Sequence, residues 1–254
     1  MGNVEQDGRV ALITGASWGI GAAVARLLAS RGMRVVVNYR SGRDEADDVV
    51  ASIRSADGRA MAVQADVRDQ AAVLGMVEQV RAAMDEVEIL VHNALIPYAV
   101  KSFNGISWDE LGGKLDQEMR AAFLMTKAVV PGMIMRGYGR IVYLGTVLSQ
   151  RPREGMIALG TAKAALSSFA RFVAQELGPC GITVNVVAPG PVEHTNVAEA
   201  SLDQKHKRRQ AARTALGRIA SPDDVARAIA FYAGDDGAFI TGTTAPVNGG
   251  LLMD

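Results

Sequence analysis

Short apolar runs alternate with longer amphipathic stretches along the whole chain. The run at 10–13 is followed by a glycine-rich turn and then an Ala/Leu-rich stretch at 22–30, which reads as strand, loop and helix. Val35-Val36-Val37 within 34–39 predicts a strand buried on both faces. A charged helix is expected over 43–56, closed by Asp57-Gly58, then a short strand over 60–64. Asp69 is placed to cap a helix reaching about Met84, and Ile89-Leu90-Val91 marks a strand over 88–92. The stretch 108–136 predicts one long helix, weakened early by Gly112-Gly113 and kinked or broken at Pro131. A strand over 140–144, an Ala-rich helix over 161–177 and a strand over 183–187 ending at Pro189-Gly190 follow. Ser221-Pro222-Asp223-Asp224 has cap, first-turn proline and first-turn acids in helix-opening order. The last strand is expected over 245–248.

Repeated strand–helix units predict an α/β protein: a single doubly wound parallel sheet, Rossmann-like, with helices on both faces and right-handed crossovers. No Pro/Ser-rich linker divides the pattern, so 1–254 reads as one domain. In such sheets ligands bind beyond the carboxyl ends of the strands, which directs attention to the residues after each strand. The first such stretch, Thr14-Gly15-Ala16-Ser17-Trp18-Gly19-Ile20-Gly21, is the strongest signal in the chain. Glycines there permit a sharp turn and close approach of the backbone to phosphate, and the helix that follows offers free N–H groups to an anion.

Composition narrows the class. The chain has 254 residues, nearly half hydrophobic, with 27 basic and 27 acidic side chains, so no charge excess points to nucleic acid or an acidic membrane. The single cysteine, Cys180, forms no intrachain disulfide and suits a reducing cytoplasm. The first seven residues lack a signal-peptide core, and no run approaches the ~18 apolar residues of a membrane span. A cytoplasmic location is expected. No metal-ligand set is assigned.

After the second strand stands Asn38-Tyr39-Arg40-Ser41, with no carboxylate to hold a ribose 2′-OH. Arg40 and Ser41 instead suit a 2′-phosphate, favouring NADP(H) over NAD(H). Asp66-Val67 follows the third strand, where a carboxylate can accept from an adenine amino group; Asn93-Ala94-Leu95, Gly145-Thr146 and Pro189-Gly190-Pro191-Val192 follow the next three.

These residues make the chain resemble the short-chain dehydrogenase/reductases, and within them the 3-oxoacyl-carrier-protein reductase-like group, over about 9–250. The family's TGxxxGxG is matched at 14–21, its Asp-Val at Asp66-Val67, and its Pro-Gly at Pro189-Gly190; its Asn-Ala-Gly turn becomes Asn93-Ala94-Leu95. Gly181-Ile182-Thr183-Val184-Asn185 and Val247-Asn248-Gly249-Gly250 also match. The resemblance implies a cofactor site drawn from Gly15, Ser17, Trp18, Gly19, Ile20, Gly21, Tyr39, Arg40, Ser41, Asp66, Val67, Asn93, Ala94, Lys163, Pro189, Gly190 and Val192. Trp18 stands where many NADP-dependent relatives carry Arg, which leaves Arg40 as the main phosphate candidate.

The catalytic pattern departs. The family's Tyr-x-x-x-Lys keeps Lys163 but has Leu159 at the tyrosine position; its serine becomes Thr146, and its asparagine, five residues before Phe123, becomes Glu118. Leucine has no proton to donate, and losing a positioned general acid costs about 10²–10⁴ in rate. Tyr98, Glu118 and His194 are candidate substitutes; Tyr143, facing away from Thr146 by strand alternation, is a poor one. The resemblance also implies a substrate lid at about 191–217, carrying the basic run Lys205-His206-Lys207-Arg208-Arg209, whose plainer reading is a solvated helix face. Two readings stay open. One is an NADP(H)-binding oxidoreductase acting on a small carbonyl or hydroxyl substrate, acyl or polyketide-like. The other is a non-redox protein: a silent subunit beside an active paralogue, or a cyclase, dehydratase or isomerase. The helices over 108–136 and 161–177 form the dimer interface in relatives, implying a homodimer or homotetramer.

Overall fold

The computed structural model describes residues 8–193 and 204–253, with backbone alone for 204–206. Strands β1 (Val10–Ile13), β2 (Arg34–Tyr39), β3 (Arg59–Gln64), β4 (Val87–His92), β5 (Gly139–Leu144), β6 (Ile182–Pro189) and β7 (Thr244–Val247) form one sheet. Its seven strands run in the order β3-β2-β1-β4-β5-β6-β7, and neighbours pair in parallel throughout. The order reverses between β1 and β4, so a crevice opens at their carboxyl ends, the usual ligand position in a Rossmann-like sheet. Ile13 pairs with Val37 on one side and Val91 on the other, which brings the turns after β1, β2 and β4 to one level.

Helices cover both faces, and strand alternation explains why. Ala11, Ile13, Val35, Val37, Ile89 and Val91 pack beneath α1 (Gly19–Ser30), α2 (Arg43–Arg54) and α7 (Pro222–Ala233). The intervening Val10, Leu12, Val36 and Leu90, with Tyr143 and Val186, pack beneath α3 (Gln70–Ala83), α4 (Trp108–Arg136) and α5 (Ile157–Leu177). A strand buried on both faces must be apolar at successive positions, as the Val35–Val37 run is. A further helix, α6 (Gln204–Ala211), precedes α7.

The predicted caps form. Asp69 accepts from the Ala72 N–H at 2.9 Å, and Ser221 and Asp224 close a reciprocal capping box on α7. A second box, Ser107 with Glu110, starts α4 and offsets the weak Gly112-Gly113 turn. Pro131 does not break α4, which runs unbroken through 29 residues. Proline there removes one backbone bond, while Val129, Gly132 and Met133 stay buried around it and hold the helix in place. Helix α5 begins at Ile157, four residues earlier than expected: the Gly160 N–H donates to the Met156 carbonyl at 2.8 Å, and a Cβ on Gly160 would stand 3.0 Å from the Leu148 carbonyl. Strands β4 and β6 also start one residue early, and α2 stops at Arg54 rather than Ala56.

One helix passes a length-and-composition test for a membrane span although it contains no unbroken apolar run of that length. By length and composition Ile157–Cys180 is apolar enough to cross a bilayer, at 24 residues and mean hydropathy 1.2. Leu166, Ala170 and Ala174 of that helix pack into the core, so one face of it lies on the sheet.

Candidate active site

The glycine loop is built from hydrogen bonds that its neighbours supply. Thr14 Oγ1 accepts from the Asn93 and Ala94 N–H groups, both at 3.0 Å. Asn93 Nδ2 donates back to the Thr14 and Gly15 carbonyls, both at 2.9 Å. From the other side Asn38, itself buried, accepts from the Gly15 N–H at 3.3 Å and donates to the Val63 and Ala65 carbonyls. Gly15 has φ +61°, and a Cβ on it would lie 2.8 Å from Ala94 Cα; one on Gly21 would lie 2.6 Å from Asn93 Nδ2 and from the Gly15 carbonyl. Only glycine fits either place. Helix α1 starts after Trp18 with no side-chain cap and no acid in its first turn. Its first N–H groups are therefore available to an anion. This cradle fits the diphosphate of a dinucleotide.

Asn93 and Ala94 thus act by shaping the loop. Ile20 and Tyr39 place their side chains in the core, so only their backbone borders the crevice, while Ser17, Trp18, Arg40 and Ser41 are at least partly exposed around it. Val67 is likewise a core residue. Asp66 is not a free acceptor. Arg68 meets both its oxygens, at 2.9 and 2.6 Å, and also donates to Gln117 Oε1 at 2.7 Å. The hydrogen bond from Arg68 holds the Asp66 carboxyl down to about 2. On the far side Gly190 is fixed by its N–H to the Val247 carbonyl at 3.1 Å, beside buried Pro189, and Val192 bridges to Ala220. His194 lies outside the described residues, as do 195–203 of the expected lid.

Beyond β4 and β5, α4 and α5 enclose three charges. Lys163 Nζ donates to the Leu144 carbonyl at 2.6 Å and lies 2.7 Å from Glu118 Oε1. Glu118 Oε2 accepts from Lys114 Nζ at 2.5 Å, and Lys114 also donates to the Ile96 carbonyl at 2.8 Å. All three side chains are buried. Burial works against the Glu118 carboxylate, but Lys163 and Lys114 together hold it ionised, well below the usual carboxylate range. Desolvation pushes Lys114 the other way, below the usual ammonium range. Next to this cluster His92 is fully buried, and desolvation lowers it to about 4, so the imidazole is neutral at pH 7. Its Nδ1 lies 3.5 Å from Thr14 Oγ1, and its Nε2 has no hydrogen-bond partner among the described residues.

The chain matches the family described as Enoyl-(Acyl carrier protein) reductase over residues 15–252. It is 34% identical over 249 residues to 3-oxoacyl-[acyl-carrier-protein] reductase FabG of Escherichia coli, covering 97% of this chain and 98% of that protein. It is 34% identical over 246 residues to the acetoacetyl-CoA reductase of Allochromatium vinosum, covering 96% and 99% of the two chains. A Serratia marcescens short-chain dehydrogenase/reductase, solved as a double mutant, superposes with a TM-score of 0.89 at 31% identity over 97% of this chain and 99% of that one. The chain belongs to the short-chain dehydrogenase/reductase family.

In this short-chain dehydrogenase/reductase Leu159 is buried on α5 one turn before Lys163 and offers nothing polar. Thr146 ends the turn after β5, and its hydroxyl oxygen accepts from the Leu148 N–H at 3.3 Å, so its proton stays available. Tyr98 sits over Lys114, its ring centre 5.7 Å from Nζ, and burial raises its hydroxyl pKa, making it a weaker acid. Tyr143 is wholly buried and bonded to Thr126 Oγ1 at 2.6 Å. Sequence reading passed over Lys114, His92 and Asn38. Only Lys114 carried a signal: it lies four residues before Glu118, the spacing of an ion pair along a helix.

Proposed function

We propose that this protein is an NADP(H)-dependent reductase of an acyl- or polyketide-like carbonyl compound, working through an active site that lacks the family's tyrosine. The observation that carries this reading is Lys163, buried at the carboxyl end of the sheet beside the turn that presents Thr146, with the glycine cradle intact across the crevice. When bound, a reduced nicotinamide supplies hydride. The free amides of α1 hold the diphosphate, and Arg40 with Ser41 receives the 2′-phosphate. Thr146 donates a hydrogen bond to the substrate oxygen, and the Lys163 ammonium favours the negative charge that develops there. Leu159 occupies the place where the family's tyrosine would protonate that oxygen, so the proton that completes the alcohol comes from solvent water. The single-domain reading of 1–254, with a lid near 191–217, belongs to the same proposal. So does assembly into a dimer or tetramer through α4 and α5, which expose Phe123 and Phe172.

Leu159→Tyr tests this directly. With the scaffold competent, NADPH oxidation on a panel of acyl thioesters and diketones rises by about 10²–10⁴ over the native protein. No gain, with NADPH still bound, sinks the reductase reading. A second reading is favoured by one observation: Lys163 is already committed to Glu118 and to the Leu144 carbonyl. That arrangement suits a non-redox member or silent subunit, and copurification with an active paralogue supports it.

A further inference from the structure

We propose that Lys114 is a positioning residue of this site: by sharing Glu118 with Lys163 it keeps a positive charge beside the reacting oxygen that a lone Glu118–Lys163 pair would cancel. The inference rests on the reading above, in which Lys163 faces that oxygen. Glu118 is the only buried carboxylate among the described residues, and it touches both lysines, one through each oxygen. Two ammonium groups and one carboxylate leave the cluster with a charge of one, held in a region where few water dipoles screen it. The other groups facing the cluster contribute no charge. His92 from β4 is neutral, Tyr143 from β5 is paired with Thr126, and Tyr98 presents its ring to Lys114. Lys114 is aimed at Glu118 by helix geometry, since residues four apart share a face, and is anchored by the Ile96 carbonyl.

The test separates charge from packing. Lys114→Gln keeps a donor for Ile96 and Glu118 but removes the charge; Lys114→Arg keeps the charge. Lysine side-chain NMR then follows the Lys163 Nζ resonance. Lys114→Gln displaces it, because a like charge is gone and Glu118 serves Lys163 alone. The same variant lowers kcat about tenfold while KM for the carbonyl changes little. Lys114→Arg stays near native in both readouts. The double variant Lys114→Gln/Glu118→Gln, with one positive charge restored, recovers most of the turnover. An unmoved Lys163 resonance in Lys114→Gln overturns the inference, as does a folded double variant no better than Lys114→Gln. If Lys114→Gln fails to fold, a folded double variant supports the inference, and failure of both overturns it. Absence of turnover in the native protein would count against the proposed function alone, since the NMR readout needs no substrate.

Discussion

The two walls of the crevice are made from opposite materials. On the β1–α1 side the cradle is neutral and mostly backbone: Asn38, Asn93 and Thr14 spend their side chains fixing the Gly15 turn, and free helix amides provide the attraction. On the α4–α5 side the site is three buried charges held by one another. Each wall is therefore vulnerable in its own way. A backbone cradle fails through shape, because there is no room for a Cβ. A charge cluster fails through imbalance, because removing one member leaves another buried and unpaired.

The largest effect should come from the cradle. Gly15→Val places a branched side chain at φ +61° against Ala94, and NADPH affinity should fall by about 100-fold or more through steric exclusion and backbone strain of ~1–3 kcal/mol. Fluorescence titration with NADPH reads it. Near-native affinity would mean that the turn does not carry the cofactor.

Next is the opposite wall. Glu118→Gln leaves two ammonium groups facing each other, and loss of a buried pair typically costs about 3–5 kcal/mol, measured by urea denaturation at pH 7. NADPH affinity should change much less than in Gly15→Val, which sharpens the contrast between the walls.

Acid should expose the same wall. His92 is lowered to about 4 in the folded protein, against about 6.5 unfolded, so below pH 6.5 the unfolded chain takes up the extra proton. Stability therefore falls as pH drops from about 6.5 to 4, by on the order of 3 kcal/mol from this group. Glu118 acts lower: its folded pKa is depressed, so its contribution is present above the unfolded value of about 4.3 and is lost as pH falls further. Denaturation midpoints of the native protein and His92→Asn across pH 4–7 check this. The slope of the variant should be shallower.

The smallest effect concerns the adenine end. Arg68→Ala frees the Asp66 carboxylate for an adenine amino group, so NADPH binding should tighten a few-fold while stability changes by about 1 kcal/mol or less, the usual worth of a half-exposed pair. Weaker binding would instead give Arg68 a direct role on the cofactor.

Much of the fold was legible in the chain because local rules and burial agree. Val35–Val37, the Asp69 and Ser221 caps and the glycines at 15 and 21 each have a local physical reason that the structure repeats. Pro131 misled for the same reason in reverse: a local breaker was overruled by packing on the sheet. At the site, the order of residues settles which chemical groups are present or missing, with Lys163, Thr146 and Glu118 in the chain and leucine at 159. What those groups are bonded to follows from the packing of distant elements. Glu118 read along the chain as a lone carboxylate replacing the family's asparagine, and Asp66 as an open acceptor. Burial of α4 against α5 turned the first into a charged core, and Arg68 closed the second. Side-chain type is written in the sequence, but the dielectric around it and the partner opposite it come from residues distant in the chain.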